Sequence, residues 1–150
     1  MSEEAFDGID LSQLYREHLL DHYKNPRNHG TLADAEHFHD LNPLCGDEIE
    51  MFVRFHDGLL EDIRFLGRGC AVSQASASLL TEAVKGKGRG VVKAMDREKM
   101  QELVGIRVTP TRARCMMLPL KVLKTVVYLH EGRKLEEQEA WNEATMRSWI

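Results

Sequence analysis

The chain has 150 residues, of which 43% are hydrophobic, 29% charged and 7% aromatic, and its formal net charge is -4. That length and balance suit one domain with a real core and exclude a disordered segment or a disulfide-bound mini-protein. The mild negative charge gives no global pull toward nucleic acid or anionic lipid, and no stretch approaches the roughly 20 apolar residues of a membrane span, so neither partner is expected. The acidic start, Met1-Ser2-Glu3-Glu4-Ala5-Phe6-Asp7, has no apolar run and does not read as a signal peptide. The expected compartment is cytoplasmic and reducing, where cysteines serve as metal ligands or reactive thiols before they serve as crosslinks.

Taken in chain order, Leu11, Leu14, Tyr15, His18, Leu19 and Tyr23 have helical spacing, with Asp10 or Ser12 as a cap, and Asn25-Pro26-Arg27-Asn28-His29-Gly30 ends the helix. Residues around 34–41 are a candidate strand. Residues 47–56 alternate, with Ile49, Met51, Val53 and Phe55 on one face, and Asp57-Gly58 is a hairpin turn signal leading into a return strand over 60–66. A two-residue loop would set Val53 against Asp62. One extra residue in the turn sets Val53 against Ile63, Met51 against Phe65 and Arg54 against Asp62, which keeps the apolar face intact. That register, extended, places Gly46 opposite Cys70 and gathers Cys45, Asp47 and Cys70 at one end of the sheet.

The Ala/Ser-rich stretch 71–85 predicts a helix starting just after Cys70, and Lys85-Gly86-Lys87-Gly88-Arg89-Gly90 reads as a solvated, mobile basic loop. A short helix is expected near 96–104, capped by Asp96, then a connector Val108-Thr109-Pro110-Thr111, then a strongly apolar helix over 116–130. Pro119 is tolerated only near a helix start, which would put Cys115 at or just before that N-terminus. The fold class is α+β: a small three-stranded antiparallel sheet with helices packed on one face, plus a C-terminal helical extension. The expected division is a domain over 1–132 and an extension over 133–150. In the extension, Trp141, Thr145 and Trp149 are spaced by four and share a helical face, which either docks on its own domain or offers a partner surface.

The chemistry rests on three cysteines: Cys45 in Asn42-Pro43-Leu44-Cys45-Gly46-Asp47, Cys70 in Gly67-Arg68-Gly69-Cys70-Ala71, and Cys115 in Arg112-Ala113-Arg114-Cys115. An odd number cannot be a complete set of internal disulfides. Three thiols and one carboxylate suffice to hold a soft, tetrahedral metal. Cys70 and Cys115, both expected at helix starts, would have their thiolates favoured by the helix dipole. The plainer reading is three small core cysteines. A zinc knuckle would show close C-x₂-C pairs, and disulfide redox chemistry a C-x-x-C motif; neither is present. Nucleophilic catalysis needs a base, and no histidine adjoins a cysteine. His18 and His22 share a helical face but read as solvated or packed. The basic loop lacks the Ser/Thr and the preceding strand of a P-loop.

The segments Asn42-Pro43-Leu44-Cys45-Gly46-Asp47 and Gly69-Cys70-Ala71-Val72-Ser73-Gln74-Ala75-Ser76-Ala77-Ser78, with Arg112-Ala113-Arg114-Cys115, resemble the IscU/SufU (NifU N-terminal) family of iron–sulfur cluster assembly proteins. The resemblance spans roughly residues 10–132 and includes the early Tyr-Arg-Glu-His and His-Tyr-Lys-Asn-Pro-Arg-Asn segments. It implies a metal and cofactor site of Cys45, Asp47, Cys70 and Cys115, the last joining only through the resemblance. It also implies a transient [2Fe-2S] cluster or Zn2+ at that site, a cysteine desulfurase as sulfur donor, and downstream cluster carriers or apoproteins as recipients. Two branches are implied. One is a scaffold that accepts persulfide sulfur, assembles a [2Fe-2S] cluster and transfers it. The other is a SufU-type zinc-dependent sulfur relay that holds no cluster. The scaffold branch has a histidine before the third cysteine, where this chain has Arg114, and a Leu-Pro-Pro-Val-Lys-type segment, where this chain has Val108-Thr109-Pro110-Thr111-Arg112. The relay branch has Arg or Lys before the third cysteine, as Arg114 is here, and a run similar to Ser73-Gln74-Ala75-Ser76-Ala77-Ser78, but it carries an insertion between the second and third cysteines that this chain lacks. As sulfur acceptor, Cys45 follows from the relay branch and Cys115 from the scaffold branch. Either way the protein is a scaffold or acceptor rather than a stand-alone enzyme. A reading from another class, a zinc-stabilised protein-binding module, separates from both because it never carries persulfide.

Overall fold

The computed structural model describes residues 5–6 and 9–135. Two short strands, β1 (Ala5–Phe6) and β2 (Ile9–Asp10), pair with each other and lead directly into α1 (Leu11–Lys24). A three-stranded antiparallel sheet follows: β3 (Glu36–Leu41), β4 (Glu48–His56) and β5 (Leu59–Arg68), in the order β3-β4-β5. Four helices complete the described chain: α2 (Ala71–Val84), α3 (Arg89–Ala94), α4 (Arg97–Val104) and α5 (Pro110–Leu135). The α+β expectation holds. The alternating residues Ile49, Met51, Val53, Ile63 and Phe65 form one fully buried sheet face, which α5 covers over β3 and β4 and α2 covers over β5. The expected helical face of Trp141, Thr145 and Trp149 lies outside the described residues.

The hairpin register decides what reaches the end of the sheet. Val53 pairs with Ile63, Met51 with Phe65 and Arg54 with Asp62, as the alternation requires. The extra residue is in a different place from the one expected. The loop is only Asp57-Gly58, both with positive φ (52° and 79°), and His56 faces Leu59 across it. That is the conformation a two-residue turn with right-handed strand twist demands. The surplus residue is Glu61, which falls opposite the step between Arg54 and Phe55 as a bulge. A bulge next to the turn shifts the pairing by one and leaves the rest of the ladder regular down to Glu48 opposite Arg68.

Three other features differ from the sequence expectation or extend it. Residues 85–88 are not free of the fold: Leu60 N–H donates to Lys87 O (2.8 Å), Gly86 N–H to Leu60 O (2.7 Å) and Arg89 N–H to Gly58 O (3.0 Å), and Arg89 and Gly90 already belong to α3. The edge of β5 is covered by the turn after α1, where Phe65 N–H donates to Asn28 O and Gly30 N–H to Phe65 O (2.9 and 2.8 Å). Third, α5 begins at Pro110, not after Cys115. Its start is marked by Thr109, whose hydroxyl accepts from Arg112 N–H (3.3 Å), followed by proline in the first helical position. Pro119 therefore sits inside the helix, where its missing N–H leaves the Cys115 carbonyl without the usual donor. Burial offsets that loss. Met116, Leu120, Leu123 and Val127 are fully buried, each worth about 1.5–3 kcal/mol. Ion pairs of Lys121 with Asp40 (2.9 Å) and of Arg133 and His130 with Glu36 fix α5 to β3.

Candidate functional site

The site forms where the β3–β4 loop, the end of β5 and the second turn of α5 meet. The loop is a tight, self-bonded turn. Cys45 and Gly46 N–H both donate to Asn42 O (3.3 and 2.7 Å), Leu44 N–H donates to Asn42 Oδ1 (3.0 Å), and Asn42 N–H to Asp47 O (2.8 Å). Gly46 has φ +78°, a left-handed conformation that reverses the chain between Cys45 and Asp47. The turn thus holds the Cys45 thiol outward and turns the Asp47 carboxylate inward: Cys45 is exposed and Asp47 is 1% exposed.

Asp47 is the hub. Its Oδ1 accepts the Cys70 backbone N–H (2.9 Å), and the Cys70 thiol lies 3.4 Å from its Oδ2. These bonds and the Cys115 and Cys45 thiols outweigh the desolvation that would raise it, and hold its carboxyl below the usual carboxylate range. The close approach needs Gly69: a Cβ there would lie 2.1 Å from Asp47 Oδ1. Cys70 is the N-cap of α2, as the sequence predicts, so its thiol meets the positive end of that helix.

Cys115 departs from its expected setting. It lies in the second turn of α5, is buried, and gains nothing from a helix start. Burial first, then the neighbouring Asp47, Cys45 and Cys70, push its thiol well above the ordinary cysteine range. Its Sγ is 3.6 Å from Cys45 Sγ. Cys45, Asp47 and Cys115 each offer one ligand atom, all within 4.8 Å of one another. Cys70 stands at the edge of that group, tied to it through Asp47. All four residues named from the sequence are therefore brought together, three as a compact set and one adjoining.

Two residues were missed. Gly69 is one. Arg112 is the other: its exposed guanidinium lies beside the Cys70 and Cys115 side chains, and these, Cys70 foremost, hold its proton more tightly than usual. The signal was present, since residues three apart share a helical face. It was hidden because the helix was placed after Arg112 rather than before it. Arg114, the position singled out in the sequence, turns instead into a neighbouring groove with Leu41, Pro43 and Lys121.

The donor set tests what the site can hold. With thiolate–metal bonds of about 2.3 Å, two ligands on one tetrahedral ion lie roughly 3.8 Å apart. The 3.6 Å separation of Cys45 and Cys115 matches both thiolates on a single metal. Three thiolates and a carboxylate would carry more negative charge than one guanidinium balances, and burial already opposes ionisation of Cys115, so a divalent cation is the partner that such a set requires. Zinc and iron both suit such a set.

An α+β fold that gathers three cysteines and one aspartate at one end of its sheet defines a class of proteins with a thiol-rich group able to hold a metal. Comparison with known proteins narrows it. The model of the NifU-like N-terminal domain matches residues 14–137. The zinc-dependent sulfurtransferase SufU of Bacillus subtilis is 36% identical, with 83% of this chain and 97% of that protein aligned. The iron–sulfur cluster assembly scaffold protein IscU of Streptococcus pyogenes is 34% identical over 78% of this chain and 84% of that protein. Among solved structures, a proposed scaffold protein for the SUF system from Fervidobacterium islandicum superposes with a TM-score of 0.67 at 26% identity, covering 79% of this chain and 99% of that one. This chain belongs to the NifU-like N-terminal domain family. None of the described helices is long and apolar enough to cross a membrane.

Proposed function

We propose that this protein works in iron–sulfur cluster biogenesis, accepting persulfide sulfur from a cysteine desulfurase and serving as the scaffold on which a [2Fe-2S] cluster is assembled and passed to carriers or apoproteins. The observation that carries the reading is the convergence of Cys45, Asp47 and Cys115 within 4.8 Å, with Cys70 on Asp47, at the surface end of the sheet. Cys45, Asp47, Cys70 and Cys115 are the proposed ligands, and Cys45 and Cys115 the proposed sulfur acceptors. Cys45 is the exposed thiol, so it is the first to meet an incoming donor. Its thiolate attacks the outer sulfur of the donor's persulfide. A new S–S bond forms on Cys45, the donor's S–S bond breaks, and the donor cysteine leaves as a thiolate; the persulfide proton travels with the transferred sulfur and no outside oxidant is consumed. Cys115, 3.6 Å away, is placed to take the sulfur onward by the same exchange. Arg112 supports the negative charge that these steps leave on the thiols.

The relay reading is favoured by one specific observation: Cys45, Asp47 and Cys115 offer three ligand atoms within 4.8 Å of one another, a set compact enough for one tetrahedral ion. The SufU relative's description as zinc-dependent agrees with it. An anaerobic reconstitution separates the two. The protein is mixed with a cysteine desulfurase, cysteine, a thiol reductant and ferrous iron, then desalted. A coloured cluster that transfers to an apo-ferredoxin and is lost in Cys70→Ser establishes the scaffold. Retained zinc, no cluster and faster desulfurase turnover establish the relay. Metal retention with neither sulfur uptake nor cluster would instead support the zinc-stabilised binding module.

A further inference from the structure

Beside the thiol site runs a groove of about 330 Å³ between the end of β3 and the first half of α5. Its floor is apolar: Met117 and Leu118 close it from the helix, and the exposed Leu41 and Pro43 form its other wall. Three cations rim it, Arg97, Arg114 and Lys121. Lys121 is spent on Asp40 at 2.9 Å. Arg97 and Arg114 have no ion pair with any described residue, although the chain as a whole is acidic. An apolar floor under two guanidinium groups that no described carboxylate pairs is complementary to a segment that carries both an apolar side chain and carboxylates.

The groove is also continuous with the site. Pro43 lies two residues before Cys45, and Arg114 directly precedes Cys115. Leu44, between groove and thiol, is 74% exposed and covered by nothing in the described structure. Whatever occupies the groove and runs on over Leu44 arrives at the exposed thiol.

We propose that this groove is the docking site for an acidic, apolar segment of the sulfur donor, and that Arg97 and Arg114 orient the donor so that its persulfide reaches Cys45. This rests on the sulfur-accepting reading of the site. Arg97 and Arg114 here position the partner and take no part in the exchange. Charges at a rim act mainly on encounter and on salt dependence. The groove should therefore govern the apparent affinity for the donor, while the thiols govern the rate once it is bound.

The test measures persulfide uptake from a cysteine desulfurase as a function of the concentration of this protein, at low and high salt. Wild type is compared with Arg97→Glu, Arg114→Glu, the double variant, and Arg97→Lys/Arg114→Lys. Zinc content and circular dichroism confirm that the site and fold are intact. The double reversal should raise the half-saturating concentration about tenfold or more, leave the maximal rate within about twofold, and flatten the salt dependence; the lysine variant should stay near wild type. An unchanged half-saturating concentration overturns the proposal. So does a double variant whose altered property is self-association in light scattering, since the groove would then join two copies of this chain. A second probe is independent of sulfur chemistry: a synthetic peptide of alternating leucine and glutamate, and its leucine–lysine counterpart, titrated against the zinc-loaded protein by NMR. The acidic peptide should shift the Met117 and Leu118 signals and the basic one should not; equal or absent responses overturn the groove. If the acidic peptide binds but wild type takes up no sulfur, the reading of the site fails and the donor is excluded as occupant.

Discussion

Replacing Gly69 by alanine is expected to disarm the site without touching a ligand. The added Cβ would lie 2.1 Å from Asp47 Oδ1 and 2.7 Å from Asp47 Cγ, while the backbone is held at φ +137°. Non-bonded carbons and oxygens do not approach within about 3 Å, so the carboxylate must retreat by about 1 Å. A metal–oxygen bond is only about 2.0–2.2 Å long, so that retreat removes Asp47 from any ion held with Cys45 and Cys115. It also breaks the Cys70 N–H bond to Oδ1. A hydrogen bond to a charged group contributes about 1.5–3 kcal/mol, which corresponds to a roughly 10- to 100-fold loss of metal affinity. Chelator competition against zinc gives the number. The decisive form is a double-mutant cycle. If Gly69 acts through the Asp47 carboxylate, Gly69→Ala should cost more affinity in the native background than in Asp47→Ala, where only the 2.9 Å approach to the residue-47 Cα and the φ of +137° remain. Fully additive losses, with the fold intact by circular dichroism, would refute the assignment of Asp47 as the hub.

The other expectations concern the thiols, Arg112 and a buried histidine. Cys45→Ser should abolish persulfide formation, whereas Cys115→Ser should leave sulfur trapped on Cys45; mass spectrometry of each after desulfurase treatment shows which thiol comes first, and persulfide arriving on Cys115 in Cys45→Ser would reverse the order. Arg112→Ala should slow sulfur uptake about 10-fold while zinc content stays near wild type, because a solvent-exposed guanidinium supports charge on the thiols without being a ligand; stopped-flow uptake kinetics would reveal an unchanged rate. His22, buried between α1 and α2 with Nδ1 2.7 Å from Ser78 Oγ, has its pKa lowered, chiefly by burial. The unfolded chain takes up this proton first, at about pH 6.5. Stability from His22 is therefore complete above that value and falls as pH drops toward the lower folded pKa. Melting curves between pH 7.5 and 5 should show a steeper decline for wild type than for His22→Gln, and parallel declines would contradict it.

How much of this was legible depended on whether the signal was local. The β4–β5 register was readable because a one-residue slip would have turned Met51, Val53, Ile63 and Phe65 out of the core. That register alone delivers Asp47 to Cys70. The location of the extra residue was not readable: turn and bulge give the same pairing beyond Arg54, and only the backbone angles at Asp57 and Gly58 distinguish them. The start of α5 follows Thr109-Pro110 and not Pro119, which sits inside the helix. A proline inside a helix costs one hydrogen bond, and burial of the surrounding residues offsets it, a tertiary term that no local pattern contains. That placement has a chemical consequence. Cys115 is a buried thiol pushed up by burial and by Asp47, Cys45 and Cys70, not one activated by a helix start, and Arg112 is the arginine whose proton its side chain helps to hold.

The central claim is that the thiols gathered by Asp47 both hold a metal and receive sulfur. Intact-mass spectrometry of the anaerobically purified protein, before and after incubation with a cysteine desulfurase and cysteine, measures this directly when paired with metal analysis of the same samples. The account predicts one tightly held divalent ion per chain and a mass gain of one sulfur atom, reversed by a thiol reductant and located on Cys45 or Cys115. A fully metal-loaded protein that gains no sulfur from an active desulfurase would contradict it.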